Sequence, residues 1–414
     1  MRCSGASTAL LIAATCVGVV SCEVGPNFRE PPPPSESSYS APAPAPAAPG
    51  PATAAAAPPL QTFALGQQMT GQWWMLFHSP ALDTLVKQAV AGSWSLEAAR
   101  ARMAQSQAAV AAASSALWPQ LNLSASAARE KLTAANFGLP ASTLPLPPNF
   151  NLLQVGPVAS YSLDLFGGTR RRIEQAQALA QSQTDELRAA YLTLTGNTVL
   201  QAIALAALGA QRQAVAQVID LDRRTLDLVQ TANRVGSIPD NDVVSAQTQL
   251  AQDEALLPPL DQSQVSTADA LAVLLGRAPG EWQPPAMHLD ALTLPAQVPV
   301  SLPSQLVHQR PDILAAEAQL HAASAQVGVT TAALYPDINL SAFVTGASLN
   351  GSNLFSSANL AWSIAAGLTQ PIFDAHLRRS ERREALAAYR ASAADYQQTV
   401  LEAFRQVADL LQAL

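Results

Sequence analysis

Leu117–Ala127 reads LWPQLNLSASA, and a similar stretch, LYPDINLSAFV, occupies Leu334–Val344, 217 positions later. In both stretches an aromatic residue precedes a proline, and Asn-Leu-Ser-Ala follows at the same spacing. An alanine-rich helical pattern runs into each proline, and a strand-like alternation comes after it. Proline cannot continue a helix and pushes the preceding residue toward extended geometry. Each stretch therefore predicts a junction between a helix and a strand.

The similarity extends on both sides of the two junctions and defines a larger repeating unit. Downstream of the junctions the offset falls to 207, which indicates a shorter loop in the second copy. The matching pairs are Val110 with Val327, Leu117 with Leu334, Phe166 with Phe373, and Arg171-Arg172 with Arg378-Arg379. The sequence thus predicts two copies of a unit with the order helix, strand, loop, strand, long helix. We expect them to form one intertwined body.

The composition argues against several classes of protein. Charged residues make up 13% of the 414 residues, the formal net charge is −7, and the isoelectric point is near 5.3, so nucleic acid is not an expected partner. The five histidines lack the spacing of metal ligands, and neither a phosphate-binding loop nor a nucleophile motif is present. We therefore expect no enzyme and no cofactor. No run of 18 apolar residues occurs, so the expected way to cross a membrane is β structure.

The N-terminus resembles a bacterial lipoprotein signal peptide. A basic start at Met1-Arg2 precedes an apolar segment, Ala9–Val20, and Val19–Cys22 then ends it in the manner of a lipobox. An ordinary secretory signal with a chance cysteine is the alternative. The resemblance implies a covalent N-acyl diacylglycerol on Cys22, and Glu23 at the next position favours sorting to the outer membrane.

Composition and the repeat together predict the boundaries of the segments. We expect a signal peptide over 1–21, a lipid-anchored Pro/Ala-rich tether over 22–60, a first repeat over 61–283, a linker over 284–303, and an incomplete second repeat over 304–414. The tether's composition cannot bury a core. Trp73–Phe77 is interpreted as a hydrophobic plug, with a carbohydrate-binding role for the two tryptophans as the alternative.

Period-two alternation predicts four strands, each with one apolar face. They are Leu121–Ala127, Val155–Leu165, Ile338–Val344 and Leu360–Leu368. About eight strands are the practical minimum for a closed barrel. Closure must therefore come from several subunits.

A helical pattern persists from Thr169 to Val235, which corresponds to roughly 100 Å of helix. A heptad register that starts at Leu187 supports coiled-coil packing. A two-helix rod is the simplest interpretation, but a helical barrel is favoured because the strands already require closure. Gly236 suits a left-handed helix cap, and Pro239 begins an antiparallel return helix. The intervening turn is predicted to form the far tip.

These features together resemble the outer-membrane factor family, the TolC-like channels, in its lipid-anchored branch. The resembling motifs are CEVGPNF, WWMLFHSPALDTLV, LWPQLNLSAS, YSLDLFGG, RVGSIPDNDVVSAQTQL, LLGR, HQRPDILAAEAQL, LYPDINLSAF and TQPIFD. The resemblance implies an α+β membrane protein that forms a homotrimer. Four strands from each subunit would make one twelve-stranded outer-membrane barrel, which continues into a long periplasmic α-helical barrel.

The resemblance also implies partners and a function. A periplasmic adaptor protein and an inner-membrane transporter, usually of the resistance-nodulation-division type, would complete a tripartite efflux pump. The chain would be its passive exit duct for drugs, metals or other small solutes. The helix tip would meet the adaptor, and the residues carried over are Arg234, Gly236, Ser237, Asp242 and Val243.

The second copy departs from the first at its end. Its long helix begins at Asp374 and the chain stops at Leu414, so roughly 60 to 65 residues of the repeat lack a counterpart. We expect either a fragment of a longer protein or a truncated product with impaired assembly.

Two other functions stay open. One is the outer-membrane channel of a protein secretion system. The other is a lipid-anchored periplasmic scaffold that never inserts, which would require polar residues on both faces of the strands. An enzyme is not supported, because Asp164 and Asp374 are better interpreted as helix caps than as catalytic acids.

Overall fold

The computed structural model describes residues 23–32, 62–66, 71–131, 149–301 and 303–413. Copy one contributes β1 Thr62–Leu65, α1 Pro80–Gly92, α2 Trp94–Ser114, β2 Gln120–Glu130, β3 Phe150–Leu163, α3 Gly168–Arg234, α4 Asp240–Glu254 and α5 Leu257–Leu274. The linker and copy two contribute β4 Gln297–Val300, α6 Pro303–Leu306, α7 Pro311–Ala332, β5 Asp337–Ser348, β6 Leu360–Thr369 and α8 Leu377–Ala413.

The chain divides into two compact units, and both repeat copies contribute to each. The sheet unit comprises Met1–Pro31, Ala104–Ser182 and Ala316–Gln398. The helical unit comprises Pro32–Met103, Gln183–Ala315 and Thr399–Leu414. The duplication is therefore intertwined, because neither unit is built from one copy alone.

The sheet unit contains a four-stranded antiparallel sheet with the order β2-β3-β5-β6. Leu121 pairs with Ala159, and Ala159 pairs in turn with Ala342. The pairing of β3 with β5 is interrupted at Gly156-Pro157. Proline has no N–H to donate to a ladder, and a Cβ added at Gly156 would overlap the carbonyl oxygen of Val344. This interruption explains how a central strand accommodates a proline.

The helices of the sheet unit pack through small residues. Ala318, Ala322, Ala325 and Val327 of α7 are buried, as are Ile173 and Ala178 of α3 and Ala385 of α8. Short side chains bring helix backbones close together, and a Cβ at Gly328 would collide with the aliphatic part of Arg171. The alanine-rich composition is thus a packing feature.

The helical unit has a core formed by α1, the middle of α3 and α5. The core residues include Leu82, Leu85, Val86, Leu194, Val199, Ala202, Leu205, Leu271 and Leu275. Trp74 lies in this core, and its indole donates a hydrogen bond to Asp83 Oδ1 at 3.1 Å. Trp73 and Phe77 pack against the same core, so the hydrophobic interpretation of the Trp73–Phe77 cluster is confirmed.

The helix α3 is the one described helix that is long and apolar enough to cross a membrane by length and composition. Its most apolar 18-residue window has a mean hydropathy of 1.4, and 39% of that window is buried. The apolar residues Leu194, Val199 and Leu205 of this helix belong to the protein core of the helical unit. Core packing therefore buries part of the apolar surface of this helix.

Several predicted boundaries need correction. The strand β3 begins at Phe150 and not at Val155, and β5 continues to Ser348, so both loops are shorter than expected. The helix α8 begins at Leu377 and not at Asp374. Ala375 and His376 have φ angles of 50° and 69°, which are left-handed, so the right-handed helix cannot include them.

Candidate functional site

The sheet has one apolar face, as the alternation predicts. Residues paired across the strands point to the same side, so Leu121, Ala159, Ala342 and Ile364 share this face. Leu123, Pro157, Val344 and Trp362 continue it. The exposed fractions of Leu123, Trp362 and Ile364 are 76%, 73% and 77%. Exposed apolar area of this extent marks a surface that faces lipid or a partner.

The opposite face of the same sheet is mostly polar, although Val158 and Phe343 also lie on it. Ser162 Oγ donates a hydrogen bond to Asp337 Oδ1 at 2.9 Å across the β3–β5 pair. Its other members include Asn122, Ser124, Ser126, Gln154, Ser160, Asn339, Ser341, Thr345, Ser363 and Thr369. The sheet therefore has one mainly apolar face and one mainly polar face.

Both outer strands of this sheet have a single partner. The strand β2 pairs with β3 only, and β6 pairs with β5 only, among the residues that the structure describes. Unpaired backbone groups along a strand edge favour pairing with another chain.

The two aspartates at the strand-to-helix corners are helix caps, as expected. Asp164 Oδ1 and Oδ2 accept hydrogen bonds from the backbone N–H groups of Thr169 and Arg170, both at 2.9 Å. Asp374 Oδ2 accepts one from the N–H of Arg378 at 3.1 Å. Carboxylates at helix N-termini satisfy otherwise unpaired donors, and this role explains both residues without catalysis.

The helix tip closes with a defined backbone motif. Gly236 has a φ of 75°, its N–H donates to Asn233 O, and the N–H of Ser237 donates to Ala232 O, both at 2.9 Å. This pattern is a Schellman motif, so the predicted left-handed cap is confirmed.

The five predicted docking residues flank this one turn. Arg234 ends α3, Gly236 and Ser237 form the turn, and Asp242 and Val243 lie in the first turn of α4. All except Val243, which is half-buried, are exposed. No partner chain is present, so their docking role stays a prediction.

Asn233 is a tip residue that the sequence reasoning missed. Its Nδ2 donates hydrogen bonds to Ile238 O at 3.1 Å and to Asp240 Oδ1 at 2.9 Å. This single amide holds the turn against the start of α4. An asparagine three residues before a capping glycine is the signal that could have identified it.

The predicted lipid-attachment residue Cys22 lies outside the described residues, and so do positions 33–61 of the predicted tether. The segment Glu23–Pro31, here called the N-terminal strap, is described and is docked. Val24 N–H donates to Phe166 O at 3.2 Å, and Phe28 stacks on the ring of His321 with 4.3 Å between centroids. The tether prediction is therefore wrong for the strap.

Arg171 is the residue that holds the strap. Its side chain is 3% exposed and contacts Asn27 Oδ1 at 2.6 Å, Val24 O at 3.3 Å and Glu23 Oε1 at 3.4 Å. It also pairs with Glu174 at 2.7 Å. Burial opposes the ionisation of Glu174, but hydrogen bonds from Arg171 and His321 outweigh it and hold the pKa of this carboxyl below its ordinary value.

Comparison with known proteins defines the class to which this architecture belongs. The family profile described as outer membrane efflux protein matches residues 85–277 and 302–414. The chain therefore belongs to the outer membrane efflux protein family, as the repeated motifs predict. The expected fold class, α+β with tandem helix–strand–strand–helix units, is confirmed.

Individual relatives support the same class. Pyoverdine export outer membrane protein OpmQ of Pseudomonas aeruginosa is 32% identical over 337 residues, which are 80% of this chain and 70% of OpmQ. The probable efflux pump outer membrane protein TtgC of Pseudomonas putida is 27% identical and covers 82% of this chain and 69% of its own length.

Solved structures agree with the sequence relatives. The outer-membrane channel OprN has a TM-score of 0.80 and 28% identity, and the match covers 94% of this chain and 82% of that one. The outer membrane protein VceC from Vibrio cholerae has a TM-score of 0.75 and 26% identity, with coverage of 84% and 82%. OpmQ and TtgC are thus outer membrane proteins of export and efflux, OprN is an outer-membrane channel, and VceC is an outer membrane protein.

Proposed function

We propose that the chain is the outer-membrane channel subunit of a tripartite efflux pump and serves as a passive exit duct for small solutes. The observation that carries this proposal is the exposed sheet, which has one apolar face, one mostly polar face and two edges that no strand of the described residues pairs with. Such a sheet is suited to form part of a barrel wall between lipid and water. Four strands are too few to close, whereas three copies would provide twelve.

A scaffold that remains in the periplasm fits this sheet less well. The exposed fractions of Leu121 and Leu368, which both lie on the apolar face, are 73% and 66%. A periplasmic surface of this kind would expose a large apolar patch to water. Insertion into a bilayer removes that area from water.

The solute class is proposed from relatives. Their names describe export of pyoverdine, efflux of toluene and efflux of antibiotics. These cargoes are all small but differ in chemistry. We therefore propose that the duct discriminates weakly among solutes and that the inner-membrane pump determines which solute is exported. We propose small organic solutes as the cargo in preference to folded proteins.

The partners are proposed from the family, and the helix tip is the proposed docking site. An adaptor protein would meet Arg234, Gly236, Ser237, Asp242 and Val243, which lie around one rigid turn. A lipid on Cys22 would add a hydrophobic anchor, and each buried methylene contributes about 0.8 kcal/mol. The strap begins at the next residue, so this anchor would be attached directly to the sheet unit.

The direct test is conductance. The full chain, expressed with its own N-terminus in a Gram-negative host, would be extracted in detergent, sized by native mass spectrometry and added to a planar lipid bilayer. We expect trimers and discrete, long-lived conductance steps. A soluble monomer that never inserts would support the scaffold and contradict the proposal.

A second measurement separates the two kinds of export. The chain would be expressed with a cognate adaptor and pump in a host that lacks its own channel, and the cells would be loaded with a fluorescent dye. Dye efflux that depends on the chain supports a small-solute duct. Secretion of a co-expressed protein toxin without dye efflux would favour a protein secretion system.

A further inference from the structure

Four basic side chains lie close together around the start of α8, and they are here called the basic cluster. Its members are His376, Arg379, Arg382 and Arg383. Together with Leu334 they line an open cavity of about 540 Å³, and all four are exposed. The three arginines are spaced by three and four positions, which brings their side chains together on the helix surface. The cavity is therefore lined almost entirely by basic groups.

No acidic side chain forms an ion pair with the basic cluster in the described part of the chain. Arg382 Nε donates a hydrogen bond to Thr331 Oγ1 at 3.2 Å, and Arg383 donates one to Ser380 Oγ at 3.0 Å. Both acceptors are neutral hydroxyls. Glu381 lies two positions after Arg379, which is about 200° around the helix and so on its opposite side. The positive charge of the basic cluster is therefore not neutralised within the chain.

The basic cluster is a feature of the second copy of the repeat. The offset of 207 matches His376 with Thr169, Arg382 with Gln175 and Arg383 with Ala176, and only Arg379 has a basic counterpart, Arg172. The first copy thus forms the same strand-to-helix corner without these charges. Like charges three and four positions apart destabilise a helix, and cations are unfavourable near its N-terminus. Folding of this corner therefore does not require the basic cluster.

The basic cluster lies on the side of the polar face of the sheet. Arg172 lines a second cavity together with Ser162, Asp337 and Thr369, which all belong to the polar face. Arg379 occupies the equivalent position on α8, so it faces the same side as Arg172. If the apolar face contacts lipid, this side is the aqueous interior of the duct.

The two cavities together carry an excess of positive charge. Their lining includes five arginines and two aspartates. Asp164 is the cap of α3, and Asp337 accepts hydrogen bonds from Ser162 at 2.9 Å and from Asn339 at 2.8 Å. Both carboxylates therefore have local partners of their own.

We propose that the basic cluster binds anions inside the duct and that the cargo class is small organic acids, which carry carboxylate groups. This inference rests on the proposed function and names its substrate class. Arginine binds a carboxylate through two parallel, charge-assisted hydrogen bonds. A cleft lined by one sign of charge concentrates counter-ions, and three subunits would place three such clusters at one level of the duct. The cluster thus favours anions without closing the duct to other solutes.

The first test measures ion selectivity in a planar lipid bilayer. The reversal potential of the full-length chain would be recorded in a KCl gradient from roughly 0.1 to 1 M, over which the Debye length falls from about 10 to 3 Å. We expect chloride to be more permeant than potassium. Arg379→Gln with Arg383→Gln should lower the ratio of chloride to potassium permeability by roughly 3- to 10-fold, because the field that concentrates anions is weaker.

Two control variants change a charge away from the basic cluster. Arg129 alternates with Leu121 and Leu123 along β2 and so lies on the apolar face of the sheet. Arg129→Gln removes the same kind of charge from that face and should leave the permeability ratio unchanged. Glu381→Gln removes a charge from the opposite side of the same helix and should also leave it unchanged.

The second test examines binding of a carboxylate probe. Citrate, a tricarboxylate, should reduce the current through the wild-type channel, whereas the trivalent cation spermidine should not. Loss of two charge-assisted contacts in the glutamine double variant should weaken the citrate block by roughly 10-fold. Arg379→Lys with Arg383→Lys keeps the charge but not the paired hydrogen bonds, so it should retain the chloride preference and lose part of the block.

The outcomes separate the cargo class from the proposed function. A wild-type channel that prefers potassium, or that spermidine blocks and citrate does not, overturns the anion preference while the duct stands. An unchanged permeability ratio in the glutamine double variant overturns the assignment to the basic cluster. Absence of any conductance contradicts the proposed function and the cargo class together. If the glutamine variant does not insert, the lysine variant and the two blockers on the wild type decide the question.

Discussion

The side chain of Arg171 holds the N-terminal strap in place, although the strap lies almost 150 residues away in the sequence. Its guanidinium contacts both the strap and Glu174, and it is nearly inaccessible to solvent. We predict that Arg171→Ala destabilises the protein by about 2 kcal/mol, because its charge-assisted hydrogen bonds to Asn27 and Glu174 and the packing of its own buried side chain are lost. Thermal unfolding would measure the loss.

The neighbouring Arg172 provides the control for that prediction. It lies in the same turn of α3 but is exposed. Arg172→Ala should change the melting temperature little, and it should leave the strap resistant to limited proteolysis, whereas Arg171→Ala should expose the strap to cleavage. Equal sensitivity of the two variants would show that Arg171 does not hold the strap.

Asp222 on α3 and Asp253 on α4 form an interacting pair of carboxyl groups. Interaction with the Asp253 carboxyl, which favours a proton shared between the two groups, raises the pKa of Asp222 above its ordinary value of 3.8, and desolvation and charge repulsion act in the same direction. A raised pKa in the folded state means that stability declines as the pH rises from 3.8 through the folded value and stays reduced above it.

The corresponding prediction concerns Asp222→Asn. The asparagine amide donates a hydrogen bond at every pH, so the substitution should raise the melting temperature at pH 7 and have less effect at pH 4. Asp220→Asn is the control, because Asp220 forms an exposed pair with Arg224 at 2.6 Å that contributes little. A pH-independent effect of Asp222→Asn would contradict the shared proton.

At the scale of elements, the tip turn depends on one glycine. A Cβ at Gly236 would meet no atom within 4 Å, so an alanine there would be strained only by the left-handed backbone. We predict that Gly236→Ala costs about 1 kcal/mol in the free energy of unfolding. Chemical denaturation would measure it.

Gly209 offers a matched comparison within α3. It also has open space around its Cβ position, but its φ is not in the left-handed region. Gly209→Ala should therefore stabilise the helix by about 0.5 to 1 kcal/mol. If both substitutions changed the free energy of unfolding in the same direction, helix propensity and not the left-handed cap would decide the effect at the tip.

The antiparallel return of α4 and α5 along α3 was predictable from the turn residues alone. Arg212 pairs with Asp261 and Arg223 with Glu254, at 2.6 and 2.7 Å, across the helices. These cross-helix pairs are absent from any local pattern, because their members are 49 and 31 positions apart. The residues of a turn are adjacent in the sequence, so the turn can be predicted from them. The ion-pair partner of a residue on another helix cannot be predicted in this way.

At the scale of the whole molecule, duplication made most of the sheet predictable. The Trp118-Pro and Tyr335-Pro junctions and the alternation after them identified the four strands and their apolar face. The docked strap was not predictable, because Val24-Gly25-Pro26-Asn27-Phe28 has no periodicity and its contacts are made to Arg171 and His321. The composition of the strap is typical of a linker, but its contacts with the buried Arg171 hold it in place.

The two faces of the sheet lead to a final prediction about adjacent residues of β6. Ile364 lies on the apolar face and Ser363 on the polar face. If the sheet forms a barrel wall, Ile364→Arg places a charge in lipid and should destabilise the inserted state by about 2 to 4 kcal/mol near the bilayer midplane. Ser363→Arg carries the same charge into the aqueous interior, where its cost is small.

Measurements of single-channel conductance and of the yield of inserted channels distinguish Ile364→Arg from Ser363→Arg. Ile364→Arg should reduce the yield of channels in the outer membrane while the few that insert conduct normally. Ser363→Arg should insert normally and shift the pore toward anions, because three arginines would line one level of a trimeric barrel. The reverse result, with Ser363→Arg blocked from insertion and Ile364→Arg altering ion selectivity, would mean that the apolar face of this sheet lines the interior.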